Sequence, residues 1–171
     1  AAGYNGDGTA TDVQLNTPRG VWVDSTGDVF IADTRNHIIR KVNISGIMST
    51  VAGVASISGT TGDGSPATSA RLTSPNGIFG TPDGDLYIAD WGNHAIRKLD
   101  KANGNLTTVA GTLGSSGAAG DGGAATLATL YGPFDVFVDS TNNIYIADAN
   151  NNKIRKIDGT TGIITTVAGT G

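Results

Sequence analysis

The sequence contains no cysteine and no glutamate, and each absence narrows the chemistry open to it. Without cysteine, disulfides, thiolate metal ligands and cysteine nucleophiles are excluded, although the compartment is not fixed. All 15 acidic residues are aspartates. Because glutamate favours helices whereas Asp, Asn and Gly favour turns, an all-β chain of strands joined by tight turns is expected.

The chain also lacks an excess of positive charge and any long apolar run. Its formal net charge is −4 and its pI is about 4.8, so nucleic acid is not an expected partner. No apolar run approaches the roughly 20 residues that cross a bilayer, so membrane insertion is not expected. The chain opens on Ala1 with no signal-like segment, which suggests a processed, excised or engineered product.

Three copies of one motif fill the 171 residues, which is the signature of a repeat architecture. Each copy reads G-D-G, A-T-x-x-x-L, a proline, an apolar strand, I-A-D, I-R-K and T-V-A-G. The aspartates of I-A-D, namely Asp33, Asp90 and Asp148, recur 57 and 58 residues apart. One domain is expected, with repeats over about 1–56, 57–114 and 115–171.

The strand signals predict four antiparallel strands per repeat. In the first repeat these are GVWVD (20–24), VFIAD (29–33), HIIRKVN (37–43) and IMSTVAG (47–53), separated by polar turns. The strands are apolar on both faces, which suits a sheet buried between two similar sheets. A β-propeller of three four-stranded blades per chain is therefore predicted. A solenoid is the alternative, although solenoid coils are usually shorter.

The repeat resembles the NHL-repeat family of β-propellers. The resemblance is carried by G-D-G-x-A-T-x-x-x-L-x-x-P, I-A-D-x-x-N-H-x-I-R-K and T-V-A-G, and it covers the whole chain. Two departures are that NNK (151–153) replaces Asn-His-x in the third copy and that Gly80 interrupts the second innermost strand. Some family members are amidating lyases that use histidine and a metal, a constellation that two histidines do not match.

Three blades are fewer than the four to eight that close a propeller. The glycine of T-V-A-G lies 10 residues before the next G-D-G aspartate at both internal junctions, from 53 to 63 and from 111 to 121. A second copy following head to tail would place its Asp7 9 residues after Gly169. We therefore expect a homodimer that closes one six-bladed ring. A three-blade fragment of a longer array is the alternative.

Eight side chains recur at equivalent places, and their interpretation is structural. Equivalent residues on successive blades are set apart by the blade rotation, whereas catalysis or metal binding needs groups that converge. The aspartate of I-A-D and the arginine of I-R-K, seven residues apart, are expected to pair within a blade or across to its neighbour. The histidines are expected to bond locally. The set is Asp33, His37, Arg40, Asp90, His94, Arg97, Asp148 and Arg155. No catalytic, cofactor-binding or metal-binding residue is predicted.

The G-D-G aspartates Asp7, Asp63 and Asp121 are expected to form turns. Calcium is the alternative, because NGDGTATD (5–12) is similar to a calcium loop. Calcium takes six to eight oxygen ligands, whereas the second and third copies offer one carboxylate each.

The residues that differ between otherwise constant repeats are the candidates for a binding face. They follow each proline or lie in the turn after I-A-D, and both places should emerge around one mouth of the channel. The predicted ligand or partner face is Arg19, Arg35, Asn76, Trp91, Phe134 and Asn150. Aromatic side chains in such loops are typical binding anchors. Unselected loop variation is the alternative.

Three classes of function follow from these observations. The preferred class is a non-enzymatic module, without a cofactor, that binds itself and a protein, peptide or glycan. The second is a purely structural or engineered self-assembling fragment. The third is a propeller lyase or hydrolase with a central metal, against which the lack of Glu, Cys and converging histidines counts.

Overall fold

The computed structural model describes residues 3–171, which form β-strands joined by turns and short 3-10 segments. The first strands are β1 (Gly8–Thr9), β2 (Pro18–Val23), β3 (Val29–Asp33), β4 (Ile38–Val42) and β5 (Ile47–Ala52). They are followed by β6 (Ser65–Pro66), β7 (Pro75–Gly80), β8 (Leu86–Asp90), β9 (Ala95–Leu99) and β10 (Asn105–Ala110). The last are β11 (Pro133–Val138), β12 (Ile144–Asp148), β13 (Lys153–Ile157) and β14 (Ile164–Ala168). The 3-10 segments are Thr34–Asn36, Trp91–Asn93, Ala125–Leu127 and Ala149–Asn151. Within residues 3–171, no helix has the length and apolar character needed to cross a membrane.

The strands form three antiparallel sheets, so the chain is all-β as predicted. The first sheet has the order β1-β5-β4-β3-β2, the second β6-β10-β9-β8-β7 and the third β11-β12-β13-β14. Four strands per repeat were predicted, but the first two sheets have five. The additional strands, β1 and β6, are only two residues long and come from the G-D-G region. In the third repeat the same pairing is reduced to one bridge, between Ala124 and Ile163.

The polar turn after each I-A-D strand has the same conformation in all three repeats. Each strand runs into a 3-10 turn that ends on a left-handed residue: His37 (φ 60°), His94 (φ 57°) and Asn152 (φ 53°). Asn and His are enriched in this conformation, which is costly for β-branched side chains. The backbone therefore explains why histidine and asparagine exchange at this position.

The core lies between the sheets, which explains why the strands are apolar on both faces. Between the first two sheets, buried Ala32, Ile39 and Ala52 pack in one cluster with Leu72 and other residues of the second. Between the second and third sheets, Ala89, Ile96 and Ala110 pack in the same way against the third. Each junction thus uses the same Ala, Ile and Ala positions of one repeat against larger aliphatic residues of the next.

Gly80, which interrupts the predicted innermost strand, makes room for a tryptophan. A Cβ at Gly80 would overlap the six-membered ring of Trp22 on the preceding sheet. At the next junction Phe79 packs against the cluster that contains Val138, the residue equivalent to Gly80. At the first junction the larger ring, that of Trp22, faces the smaller residue, Gly80. At the second junction the smaller ring, that of Phe79, packs in the cluster with the larger Val138, so size is matched across both junctions as close packing requires.

The three inner strands β2, β7 and β11 lie next to one another and bring residues of all three repeats together. The approach is close at Gly77, where a Cβ would overlap the Asp135 side chain of the third sheet. The residues that follow each proline therefore meet at the inner edge of the sheets.

Candidate functional site

The I-A-D aspartates form the same buried hydrogen-bond network in every repeat. One oxygen of Asp33 accepts from the Asn16 backbone N–H at 2.7 Å, and the other accepts from the Asn36 amide at 2.8 Å. The Asn36 amide also donates to the Gly3 carbonyl at 2.6 Å. Asp90 and Asp148 make the equivalent contacts in the second and third repeats. The network ties the turn to the chain segment that enters the inner strand, so it is structural.

The I-R-K arginines are fully buried, and each pairs with the G-D-G aspartate of its own repeat. The distances are 3.1 Å for Arg40 to Asp7, 3.1 Å for Arg97 to Asp63 and 2.8 Å for Arg155 to Asp121. The sequence did not indicate this role for the G-D-G aspartates. Their recurrence some 34 residues before each arginine was the signal that could have revealed it.

The expected pairs between I-R-K arginines and I-A-D aspartates form in two repeats. Arg97 lies 3.4 Å from Asp90, and Arg155 lies 3.4 Å from Asp148. In the first repeat Arg40 instead donates to the Gly6 carbonyl at 2.8 Å. Among residues 3–171 its only carboxylate within 4.0 Å is that of Asp7.

Burial dominates the ionisation of the I-A-D aspartates where a shift is resolved. Desolvation raises the pKa of Asp90 to about 6, although hydrogen bonds from Thr73 and Asn93 and the charge of Arg97 act against it. Desolvation also raises the pKa of Asp33. The Arg97 guanidinium is therefore one of the groups that keep Asp90 ionised near neutral pH.

The histidines connect consecutive sheets rather than bonding locally as expected. Nδ1 of His37 accepts from the Ser74 backbone N–H at 3.0 Å, and Nδ1 of His94 accepts from the Gly132 N–H at 3.1 Å. Thr34 adds a second bond across the first junction, donating to the Pro75 carbonyl at 2.8 Å. Burial lowers the pKa of His37, in keeping with a neutral ring that accepts a hydrogen bond.

The turn residues of the predicted face lie beside the entry to the inner strands. The turn N–H groups of Arg35 and Asn150 donate to Asn16 and Tyr131 carbonyls at 3.0 and 3.1 Å. Trp91 is 37% exposed, and it aligns with Thr34 and Ala149 rather than with Arg35 and Asn150. A Cβ at Gly132 would collide with the Trp91 indole nitrogen and the Asn150 amide, so these two side chains meet there.

The other three predicted residues converge on one cavity at the inner strands. Arg19 donates to the Asn76 side-chain oxygen at 3.3 Å, and its guanidinium carbon lies 5.8 Å from the centre of the Phe134 ring. A cavity of about 570 Å³ is lined by these three side chains and by Asp135. Five of the six predicted residues thus lie in two neighbouring groups, whereas Arg35 is an exposed turn residue of the first sheet.

Among residues 3–171 no three histidines or aspartates are grouped so that they could hold a metal ion. A guanidinium, a carboxylate, an amide and an aromatic ring line the cavity, and groups of these kinds can orient a bound ligand.

Three neighbouring sheets built from one repeated motif define a β-propeller type of repeat protein, and the comparisons with known proteins agree with this. A family model described as the teneurin NHL domain matches residues 3–61. Over 182 residues, the chain is 30% identical to the chloroplastic protein SUPPRESSOR OF QUENCHING 1 of Arabidopsis thaliana. The aligned region covers 98% of this chain and 16% of that protein. It is 34% identical to human NHL repeat-containing protein 2 (58% and 15% covered) and 31% identical to mouse teneurin-1 (56% and 4% covered). These matches support an NHL-repeat family for this chain, which spans a sixth or less of these relatives.

Solved structures share the same fold. A protein of unknown function from Bacteroides thetaiotaomicron superposes with a TM-score of 0.72 at 27% identity, over 83% of this chain and 36% of that one. An auxiliary nutrient binding protein from Bacteroides ovatus gives 0.67 at 24% identity (92% and 39% covered). Virginiamycin B lyase from Staphylococcus aureus gives 0.60 at 16% identity (90% and 42% covered). The last two likenesses concern the fold alone.

Proposed function

We propose that this chain is a non-enzymatic NHL-type propeller module whose loop face binds a protein, a peptide or a glycan. The observation that carries the proposal is the convergence of repeat-variable side chains at the inner edge of a constant frame. Trp91 and Asn150 meet beside Gly132, and Phe134 is the second residue of the adjacent inner strand. A partly exposed tryptophan beside amide groups is typical of a binding anchor.

We also propose that a second copy completes the ring, because the two end sheets expose the residues that are buried at the internal junctions. Ile39 and Ile96 are 0% exposed, whereas the equivalent Ile154 of the third sheet is 39% exposed. At the other end Val21 is 65% exposed, whereas the equivalent Ile78 is 6% exposed. Apolar surface of this kind gains free energy when it is covered.

The residue types at the two end faces support this pairing. On the third sheet, the positions equivalent to the Ala, Ile and Ala of both internal junctions are Ala147, Ile154 and Ala168, so the residue types are the same. Head-to-tail pairing would oppose Phe137 to Val23 of a second copy. These positions are equivalent to Phe79 and Val138, which pack in the cluster between the second and third sheets. These residues support pairing of a second copy at both end faces, and two copies would supply six blades.

Substitution at one end face tests the closure. Ile154→Glu places a charge on the exposed face, and we expect it to abolish the dimer while each chain keeps its strand content. Ile44→Glu is the matched control, because Ile44 is 78% exposed in a turn outside either face. Sedimentation velocity and circular dichroism report assembly and fold separately. If the Ile154→Glu protein assembles like the Ile44→Glu protein, the proposed closure is wrong.

Substitution of Trp91 tests the binding face. A labelled protein is applied to a printed array of defined peptides and glycans, and the Trp91→Ala variant is applied beside it. We expect the variant to assemble normally and to give no signal on the printed compounds that bind the unmodified protein. Identical array patterns would remove Trp91 from the proposed face. If the unmodified protein assembles but binds no printed compound, the result would favour the alternative that the chain is a purely structural, self-assembling unit.

A further inference from the structure

The cavity at the inner strands carries two unpaired charges of opposite sign. Among residues 3–171, no carboxylate lies within 4.0 Å of the Arg19 guanidinium, and no cation lies within that distance of Asp135. Both side chains line the same cavity of about 570 Å³, within the size range of small-molecule sites. The two groups therefore face one cavity without forming an ion pair with each other.

The position of both charged groups is set by the surrounding structure. Arg19 is anchored by its bond to Asn76, which is 1% exposed, and Asp135 accepts from the Val136 backbone N–H at 2.9 Å. The Asp135 side chain lies over Gly77, where no other side chain would fit. These contacts restrict both groups before any ligand is present, which reduces the cost of ordering them on binding.

This pair of charges occurs once per chain, although the repeat and its inner strand occur three times. The positions equivalent to Arg19 hold Asn76 and Phe134, and the positions equivalent to Asp135 hold Gly20 and Gly77. The first repeat therefore supplies the cation and the third supplies both the carboxylate and the aromatic ring. The second repeat supplies an amide whose nitrogen has no acceptor among residues 3–171. An unpaired buried polar group needs an explanation, and a hydrogen bond to a bound ligand is one.

We infer that the cavity binds a small zwitterion of the α-amino acid class with an apolar side chain. The ligand carboxylate pairs with the Arg19 guanidinium, the ammonium group pairs with the Asp135 carboxylate, and the apolar side chain packs on the Phe134 ring, which is 47% exposed. This inference deepens the proposed binding function, on which it rests. Because every group named comes from one chain, the site itself does not require the second copy.

Calorimetric titration with L-leucine tests the inference. L-leucinamide lacks the carboxylate and N-acetyl-L-leucine lacks the ammonium group, so we expect each to bind about ten- to a hundredfold more weakly than L-leucine. Arg19→Gln and Asp135→Asn should each weaken L-leucine binding by a similar factor. Arg35→Gln is the matched control, because Arg35 is an exposed arginine outside the cavity, and it should leave the affinity unchanged.

The inference is overturned if L-leucine releases no heat at millimolar concentration. It is also overturned if the amide or the acetylated compound binds as tightly as L-leucine, or if the Arg19 and Asp135 variants bind like the Arg35 variant. Failure of the proposed function has different readouts, namely a monomeric mass and an array pattern insensitive to Trp91→Ala. The two failures are therefore distinguishable in one set of protein samples.

Discussion

Replacing Arg97 by methionine should destabilise the fold strongly, because it removes the cation from a buried network. Arg97 is fully buried between Asp63 at 3.1 Å and Asp90 at 3.4 Å, and Asp90 is itself fully buried. Methionine keeps much of the side-chain volume, so the packing loss is small. The main effect is an uncompensated carboxylate in the interior.

The expected loss is about 3–5 kcal/mol of unfolding free energy, which is the usual cost of removing one partner from a buried ion pair. For a domain of this size the melting temperature would fall by roughly 6–20 °C. Lys98→Met is the matched control, because Lys98 is the next residue and pairs with Asp85 at 2.6 Å, but both side chains are about one quarter exposed. A pair that stays in contact with solvent contributes less than a fully buried one, and surface pairs contribute about 0–1 kcal/mol.

The effect should also depend on pH, because Asp90 can neutralise itself by taking up a proton. The pKa of Asp90 is about 6 in the intact protein, and loss of the Arg97 charge would raise that pKa further. The cost of Arg97→Met should therefore be larger at about pH 8 than at about pH 5. Urea unfolding at both pH values, at one fixed protein concentration, measures this difference. Equal losses for Arg97→Met and Lys98→Met, or a loss that does not change with pH, would refute the reasoning.

Two further changes probe the junctions between sheets. Burial lowers the pKa of His37, so the unfolded chain takes up a proton more readily and the histidine's contribution to stability is lost as the pH falls below about 6.5. His37→Asn, the residue found at the equivalent position 152, should therefore reduce the loss of stability between about pH 7.5 and pH 5.5; an unchanged pH profile in urea unfolding would contradict this. Gly80→Val should cost about 1–3 kcal/mol by colliding with Trp22, and adding Trp22→Phe should recover most of that loss by recreating the Phe79 and Val138 pairing. Thermal melts of the single and double variants decide this, and an additive double loss would speak against size matching across the junction.

The sequence predicted those features that are repeated along the chain and local within it. VFIAD at 29–33 was predicted as a strand and is β3, because a run of β-branched and aromatic residues bounded by turn residues has little alternative. The repeated motif likewise predicted an all-β chain of the NHL-repeat family. These signals persist because every copy of the repeat must satisfy the same local backbone and packing requirements.

Contacts between distant segments could not be read from the sequence in this way. The partners of His37 and Arg40 lie 37 and 33 residues away, and such pairings depend on where the sheets place the chain rather than on local pattern. The cavity between Arg19 and Asp135 depends on the close approach of three inner strands, which the repeat length does not reveal.

The mass of the assembled protein in solution tests the proposed ring most directly. One chain has a mass of 17.2 kDa, so a ring of two chains has twice that mass, about 34 kDa. Sedimentation equilibrium across a range of protein concentrations should show the dimer mass for the unmodified chain and the single-chain mass for Ile154→Glu. A stable, folded monomer of 17.2 kDa at every concentration would contradict closure by a second copy.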